Sequence, residues 1–260
     1  MTADSDDVLA RDLAAAAGRR LLDLRARGGE PDLLRKAGDR LSHEFLVAEL
    51  AARRPGDVVL SEEGADDPAR LSARRVWIVD PLDGTREFGD AGRADWAVHV
   101  ALWEAAGPDG TAGLTAGAVA LPARDMVLST VPGELDGTAG LRGREARIRI
   151  VLSRTRVPQL VWDISDLIDA ELIPLGSAGA KVAAVVCGEA DAYVHAGGFY
   201  EWDTAAPVAV ARAAGLHASR IDGSRLAYNQ PDVLMPDILV CQPPLAGPIL
   251  QAIREVTDAP

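Results

Sequence analysis

Val76-Trp77-Ile78-Val79-Asp80-Pro81-Leu82-Asp83-Gly84-Thr85 is the stretch from which the rest of the chain can be read. Its first four residues are apolar, with two valines and an isoleucine, the composition of a buried strand. The strand runs into two aspartates three apart, with Pro81 fixing a turn and Gly84 freeing the backbone before Thr85. Paired carboxylates, a bare carbonyl and a glycine make a poor packing surface. They suit a hard divalent cation, which takes several oxygens converging on one point.

Outward from this stretch, residues 58–60 form a short strand ending in Ser61-Glu62-Glu63-Gly64, and a linker over 66–75 returns to the central strand. Upstream, Val8, Leu9, Leu13, Ala16, Leu21 and Leu24 share one side of a helix over 4–26, which Gly28-Gly29 ends. Gly38-Asp39 opens a second helix over 40–54, with Leu41, Phe45, Leu46 and Leu50 on its apolar face. Downstream, strands over 97–103, 113–121 and 126–131 follow one another without helices, which predicts a mainly antiparallel sheet. From Arg147 strands (148–152, 172–175, 192–195, 237–240) alternate with helices (158–170, 178–186, 204–214, 245–256). The predicted class is α/β (α+β), in two lobes of one integrated unit. Residues 1–145 form an α+β lobe with most of the candidate ligands, and 146–260 an α/β lobe.

At 260 residues and 48% hydrophobic, the chain can bury a full core. Its 27 basic and 39 acidic residues leave −12, which argues against a nucleic-acid or anionic-membrane surface. An acidic protein still binds an anionic small molecule if metal ions reverse the sign inside its pocket. Cys187 and Cys241 stand alone, as idle thiols of a reducing compartment. The acidic N-terminus and the lack of an apolar run of roughly 18 residues predict a soluble, cytoplasmic protein.

Six acidic residues, Asp39, Glu62, Glu63, Asp80, Asp83 and Asp203, fall where elements begin or end. Each alone reads as a helix cap or a turn former. Together they ask for more, because carboxylates at strand ends repel unless cations lie between them. Ser61-Glu62-Glu63-Gly64, Trp77 to Thr85, and Glu201-Trp202-Asp203-Thr204-Ala205-Ala206-Pro207, in that order, resemble the inositol monophosphatase superfamily. That resemblance implies a layered αβαβα sandwich and a magnesium-dependent, lithium-sensitive phosphomonoesterase. It implies one Mg²⁺ on Glu62, Asp80 and the Leu82 carbonyl, and a second on Asp80, Asp83 and Asp203. Asp39 matches the position supporting a weaker third ion. The attacking water would be oriented by Glu62 and Thr85, with Asp39 polarising Thr85 and the Gly84 and Thr85 amides facing phosphate oxygens. A homodimer stays open.

Three features resemble the 3'(2'),5'-bisphosphate nucleotidase branch, whose substrates are 3'-phosphoadenosine 5'-phosphate (PAP) and its sulfated form (PAPS), and imply a role in sulfate assimilation. Arg86-Glu87-Phe88 follows Thr85. Gly176-Ser177-Ala178-Gly179-Ala180-Lys181 is similar to the branch's Gly-Ser-x-x-x-Lys, placing Ser177 and Lys181 at a helix start. Ala196 stands where an inositol enzyme carries a hydroxyl-binding Glu. Ser153-Arg154 fits as a second anion or base contact. His43, His99, His195 and His217 lack the spacing of a paired metal site and read as core or surface residues. The rivals are inositol-1-phosphate or fructose-1,6-bisphosphate hydrolysis on the same fold. Outside it stand a haloacid-dehalogenase aspartyl-phosphate enzyme, whose aspartates are two apart, and a sensor binding metal and nucleotide without turnover.

Overall fold

A computed structural model describes residues 5–135, 147–155 and 157–258. Two long helices open the described chain. In α1 (Asp6–Ala26) the Ser5 hydroxyl accepts the Val8 N–H, closing the first turn. α2 (Pro31–Arg53) begins nine residues before the start predicted at Arg40, with Pro31 in its first turn and the Glu30 carboxylate accepting the Leu33 N–H. Gly38 does not start this helix. It lies inside it, because an added Cβ would stand 2.8 Å from the Phe88 ring and 3.0 Å from Leu82. Asp39 is therefore a mid-helix residue, not an N-cap.

The first sheet contains β1 (Val58–Ser61) and β2 (Arg75–Asp83), then, after the short α3 (Thr85–Gly89), β3 (Ala97–Glu104), β4 (Gly113–Leu121) and β5 (Met126–Ser129). Its order is β1-β2-β3-β4-β5; β1 and β2 are parallel and the other pairs antiparallel, as predicted. The second half runs β6 (Arg149–Ser153), α4 (Gln159–Leu167), β7 (Glu171–Leu175), α5 (Ala178–Val186), β8 (Ala192–Tyr200), α6 (Glu201–Ala213), β9 (His217–Ser219), β10 (Leu234–Cys241) and α7 (Pro243–Thr257). The second sheet has the order β7-β6-β8-β10-β9. Among the boundaries that differ from the sequence reading, two bear on the site. β8 continues from His195 to Tyr200, and α6 opens at Glu201, so Asp203 sits in the first turn of that helix rather than before it. The lobe boundary near residue 145 and Asp4 lie outside the described residues.

Side-chain alternation explains the layering. Along β2, Trp77 and Val79 face the apolar cluster of α1 and α2, whereas Val76 and Ile78 face that of α5 and α6. β3 repeats this, with Val98, Val100 and Leu102 on one side and Ala97 and Ala101 on the other. In the second sheet Val151, Tyr193, Ile238 and Val240 join the α5/α6 cluster, while Ile150, Leu152, Val194 and Leu239 join that of α4 and α7. Both sheets are thus covered on both faces, giving layers α, β, α, β, α. α5 is buried from Gly179 to Val186, and its composition of alanine, valine and glycine lets it fit between sheets.

Candidate active site

The β2–α3 junction builds the site. Asp80 and Asp83 are an odd number apart, which in a regular strand would send them to opposite faces. The β2–β3 ladder is irregular between them, and this break corrects the parity. The Asp80 carboxylate accepts the Leu82 N–H at 3.0 Å, holding the turn. Gly84 then takes φ +83°, with Ser177 and the Asp95 carbonyl so close that a side chain would be crowded as well as strained.

Other elements converge on this turn. Asp83 accepts the Gly179 N–H from α5 at 2.7 Å, and Asp203 folds back on the Tyr200 N–H at 2.6 Å. One oxygen each from Asp80, Asp83 and Asp203 lies within 4.8 Å of the other two. Glu62 follows β1, its N–H pointing at the Val79 carbonyl. The Thr85 hydroxyl stands 3.1 Å from the Leu82 carbonyl and 3.4 Å from Asp39 on α2. His99, fully buried on β3, places Nε2 3.2 Å from Asp83 and Nδ1 3.1 Å from the Trp202 carbonyl.

These carboxylates strain against one another. Burial lifts Asp80 well above the carboxylate range, and the charges of Glu62, Asp83 and Asp203 push the same way. Desolvation by the site walls, then the Asp203 charge, pushes Glu62 up to about 7, even though part of the residue faces solvent. Asp203 is pushed up to about 6 by burial and Asp83, and Asp39 to about 6 by burial and Glu63. Asp83 goes the other way. Burial opposes its ionisation, but the His99 ring, the Lys181 charge and the Gly179 N–H together hold it below the ordinary range.

A cleft of about 590 Å³ opens over this cluster. Glu62, Asp80, Leu82, Asp83, Gly84, Thr85, Arg86, Ser153, Arg154, Ser177, Lys181 and Asp203 all line it. Asp39 does not, and reaches it only through Thr85. Arg86 is exposed at the cleft, while Arg154 is held by Asp95 at 2.8 Å and Glu87 at 3.4 Å, so its charge is largely compensated. Lys181 is buried, donating to the Gly176 carbonyl with its Nζ over the Tyr193 ring. Residues that sequence reasoning missed also belong here. His99 backs Asp83, Asp95 accepts the Gly176 N–H while pairing Arg154, and Tyr193, His195 and Phe199 form an aromatic wall. No spacing pattern marks His99 or Asp95, whose partners Asp83, Gly176 and Arg154 come from other elements, whereas Tyr193, His195 and Phe199 follow the alternation of one strand.

The donor set is all hard oxygen and self-repelling, and three oxygens already converge, so the cluster fits a divalent cation. An acidic cage of this kind at a sheet end, under an open cleft with basic side chains, suits a divalent cation together with an anionic small molecule. Residues 10–258 match the inositol monophosphatase family, and the chain belongs to it. It is a phosphatase of that metal-dependent family. A "3'-phosphoadenosine 5'-phosphate phosphatase" of Mycobacterium leprae is 49% identical over 97% of this chain and 94% of its own length. A "3'(2'),5'-bisphosphate nucleotidase CysQ" of Escherichia coli is 32% identical over 74% of this chain and 78% of its own. Among solved structures, CysQ from Bacteroides thetaiotaomicron, a bacterial member of the same family, superimposes with TM-score 0.77 at 29% identity, covering 92% of this chain and 97% of that one. Among the described residues no helix is long and apolar enough to cross a membrane.

Proposed function

We propose that this phosphatase is Mg²⁺-dependent and removes the 3'-phosphate of PAP or PAPS, in the cytoplasm and in the service of sulfur assimilation. The observation that carries the reading is the 49% identity, across nearly the whole chain, to a relative named for PAP. Cys187 and Cys241, both free thiols, are compatible with a reducing compartment.

Glu62, Asp80, Asp83, Asp203 and the Leu82 carbonyl would hold two Mg²⁺, with Asp39 near a third. When bound, such ions neutralise phosphoryl charge and lower the pKa of coordinated water. Beside the bound ions Glu62 would be ionised, and its carboxylate could accept a hydrogen bond from the attacking water. The Thr85 hydroxyl, between the Leu82 carbonyl and Asp39, is fixed in direction and can orient the attacking water. The Gly84 and Thr85 amides would face the phosphate oxygens. Further along the cleft, Arg86 and Lys181 offer cationic contacts and Ser153 and Ser177 hydroxyl contacts for a second phosphate, with Arg154 beside them in its pair with Asp95 and Glu87. The aromatic wall of Tyr193, His195 and Phe199 offers flat surface for a base.

The test is a parallel kcat/KM comparison with Mg²⁺ on PAP, inositol 1-phosphate and fructose 1,6-bisphosphate. PAP should lead by at least about tenfold, the margin of one lost charged contact. Equal or greater turnover of inositol 1-phosphate would overturn the substrate assignment and leave the phosphatase class standing.

A further inference from the structure

Outside the cleft, a buried polar chain ties together two of the segments that carry the acidic cluster. At the start of α6, two residues before Asp203, the Glu201 side chain is fully buried. One of its carboxylate oxygens accepts the Asn229 N–H and the other the Gln230 N–H, both at 2.7 Å, and its own N–H donates to the Val233 carbonyl at 2.9 Å. The same loop touches the other side of Asp203, because the Tyr228 hydroxyl meets Thr204 Oγ1 at 3.2 Å. Asn229 holds a left-handed φ of +57°.

Asn229 then reaches a residue 159 positions away. Its Oδ1 accepts from Arg70 Nη1 at 2.9 Å, and its Nδ2 donates to the Arg70 carbonyl at 3.0 Å. Arg70 is 1% exposed, and its remaining nitrogens grip Asp66 at 2.6 and 3.1 Å. It stands in the short connection between Glu62 and β2. A buried carboxylate and a buried guanidinium, each surrounded by hydrogen-bond partners, stabilise a fold no better than apolar side chains of the same size. What they supply is fixed geometry. The cluster needs it, because carboxylate oxygens of Asp80, Asp83 and Asp203 lie within 4.8 Å of one another, and like charges that close push their segments apart.

We propose that Glu201, Asn229 and Arg70 form a positioning chain that holds Asp203 at cation-binding distance from Asp80 and Asp83 at the end of β2, by tying it to the connection that follows Glu62. The proposal rests on the metal-binding reading above. None of the three residues touches substrate, and their contribution is to the affinity of the cluster for its ions.

Calorimetric titration of Mg²⁺ into the metal-free protein tests it, beside thermal melts in EDTA. Glu201→Gln replaces one of the two acceptor oxygens by a donor. Asn229→Gly cuts the link to Arg70 while keeping the backbone at home in its positive φ, and is the milder change should Glu201→Gln fold poorly. Asp237→Asn, which loosens the Arg220 pair on the second sheet, serves as a structural control. Both chain variants should weaken Mg²⁺ binding roughly tenfold, as loss of partners behind metal ligands does, and excess Mg²⁺ should restore kcat. The control should lower Tm without moving Kd. Parental Kd in folded Asn229→Gly, or an equal Kd change in the control, would overturn the positioning role alone. Absence of Mg²⁺ binding by the parent protein would overturn the metal reading and this proposal together.

Discussion

Asp80 and Asp83 sit three residues apart in one turn, yet they are held in opposite ways. Asp80 is buried among like charges and lifted well above the carboxylate range, whereas Asp83 is kept ionised by His99, Lys181 and the Gly179 amide. Replacing each by asparagine should therefore separate function from stability. Either change removes a ligand charge and should cut kcat by about 100-fold or more, the scale of losing one charge-stabilising group. In EDTA, Asp80→Asn should raise Tm by about 2–4 °C, since it removes a self-repelling charge while Oδ1 still accepts the Leu82 N–H. Asp83→Asn should lower Tm, because Lys181 loses a buried counter-charge and the His99 ring its carboxylate neighbour. Melts of both metal-free variants, with assays in Mg²⁺, check this; a shift of the same sign in both would refute the electrostatic asymmetry.

At the scale of elements, close approach explains which parts of the site could be read from the sequence and which could not. Asp80, Asp83 and Gly84 belong to one contiguous turn, so spacing and turn chemistry reveal them. Gly38-Asp39 misleads, because a glycine before an aspartate suggests a helix start, while here the glycine is there to let Phe88 and Leu82 touch the middle of α2. His99, Asp95 and the Arg70–Asn229–Glu201 chain are silent, because their partners arrive from distant strands and loops. Gly179 shows the same logic in α5. A Cβ there would lie 2.2 Å from His99 Nε2 and 2.9 Å from the Ala97 methyl group, so the helix that donates to Asp83 can approach only as glycine. Gly179→Ala should cost about 1–3 kcal/mol of stability by overpacking and lower kcat as the amide retreats from Asp83. Gly18→Ala, which crowds Pro122 on the far side of the first sheet, should destabilise without touching kcat. Denaturant titrations with kinetics on the folded fraction distinguish the two; unchanged kcat in Gly179→Ala would mean that the amide is dispensable.

For the whole molecule, the cluster makes stability a function of pH and of metal together. Asp39, Asp203 and Glu62 have folded pKa values of about 6, about 6 and about 7, against 3.8, 3.8 and 4.5 for the free side chains. A carboxyl raised in this way contributes stability that is fully present below its unfolded pKa and lost as pH rises through its folded pKa. Asp83, held low, contributes the opposite sign, but only where pH falls below the carboxylate range, outside this window. In EDTA, Tm should therefore fall as pH climbs from about 5 to about 8. Saturating Mg²⁺ reverses the slope, because a cation binds the ionised form and must first displace those protons. At a hundred times Kd the ion adds about 2.7 kcal/mol, so the curves with and without metal should diverge by about 5–10 °C near pH 8. They should converge near pH 5, where protons occupy the cluster. A metal-induced shift of constant size across that range would mean that the ions bind without proton exchange, and the assignment of these three carboxylates as the titrating group would be wrong.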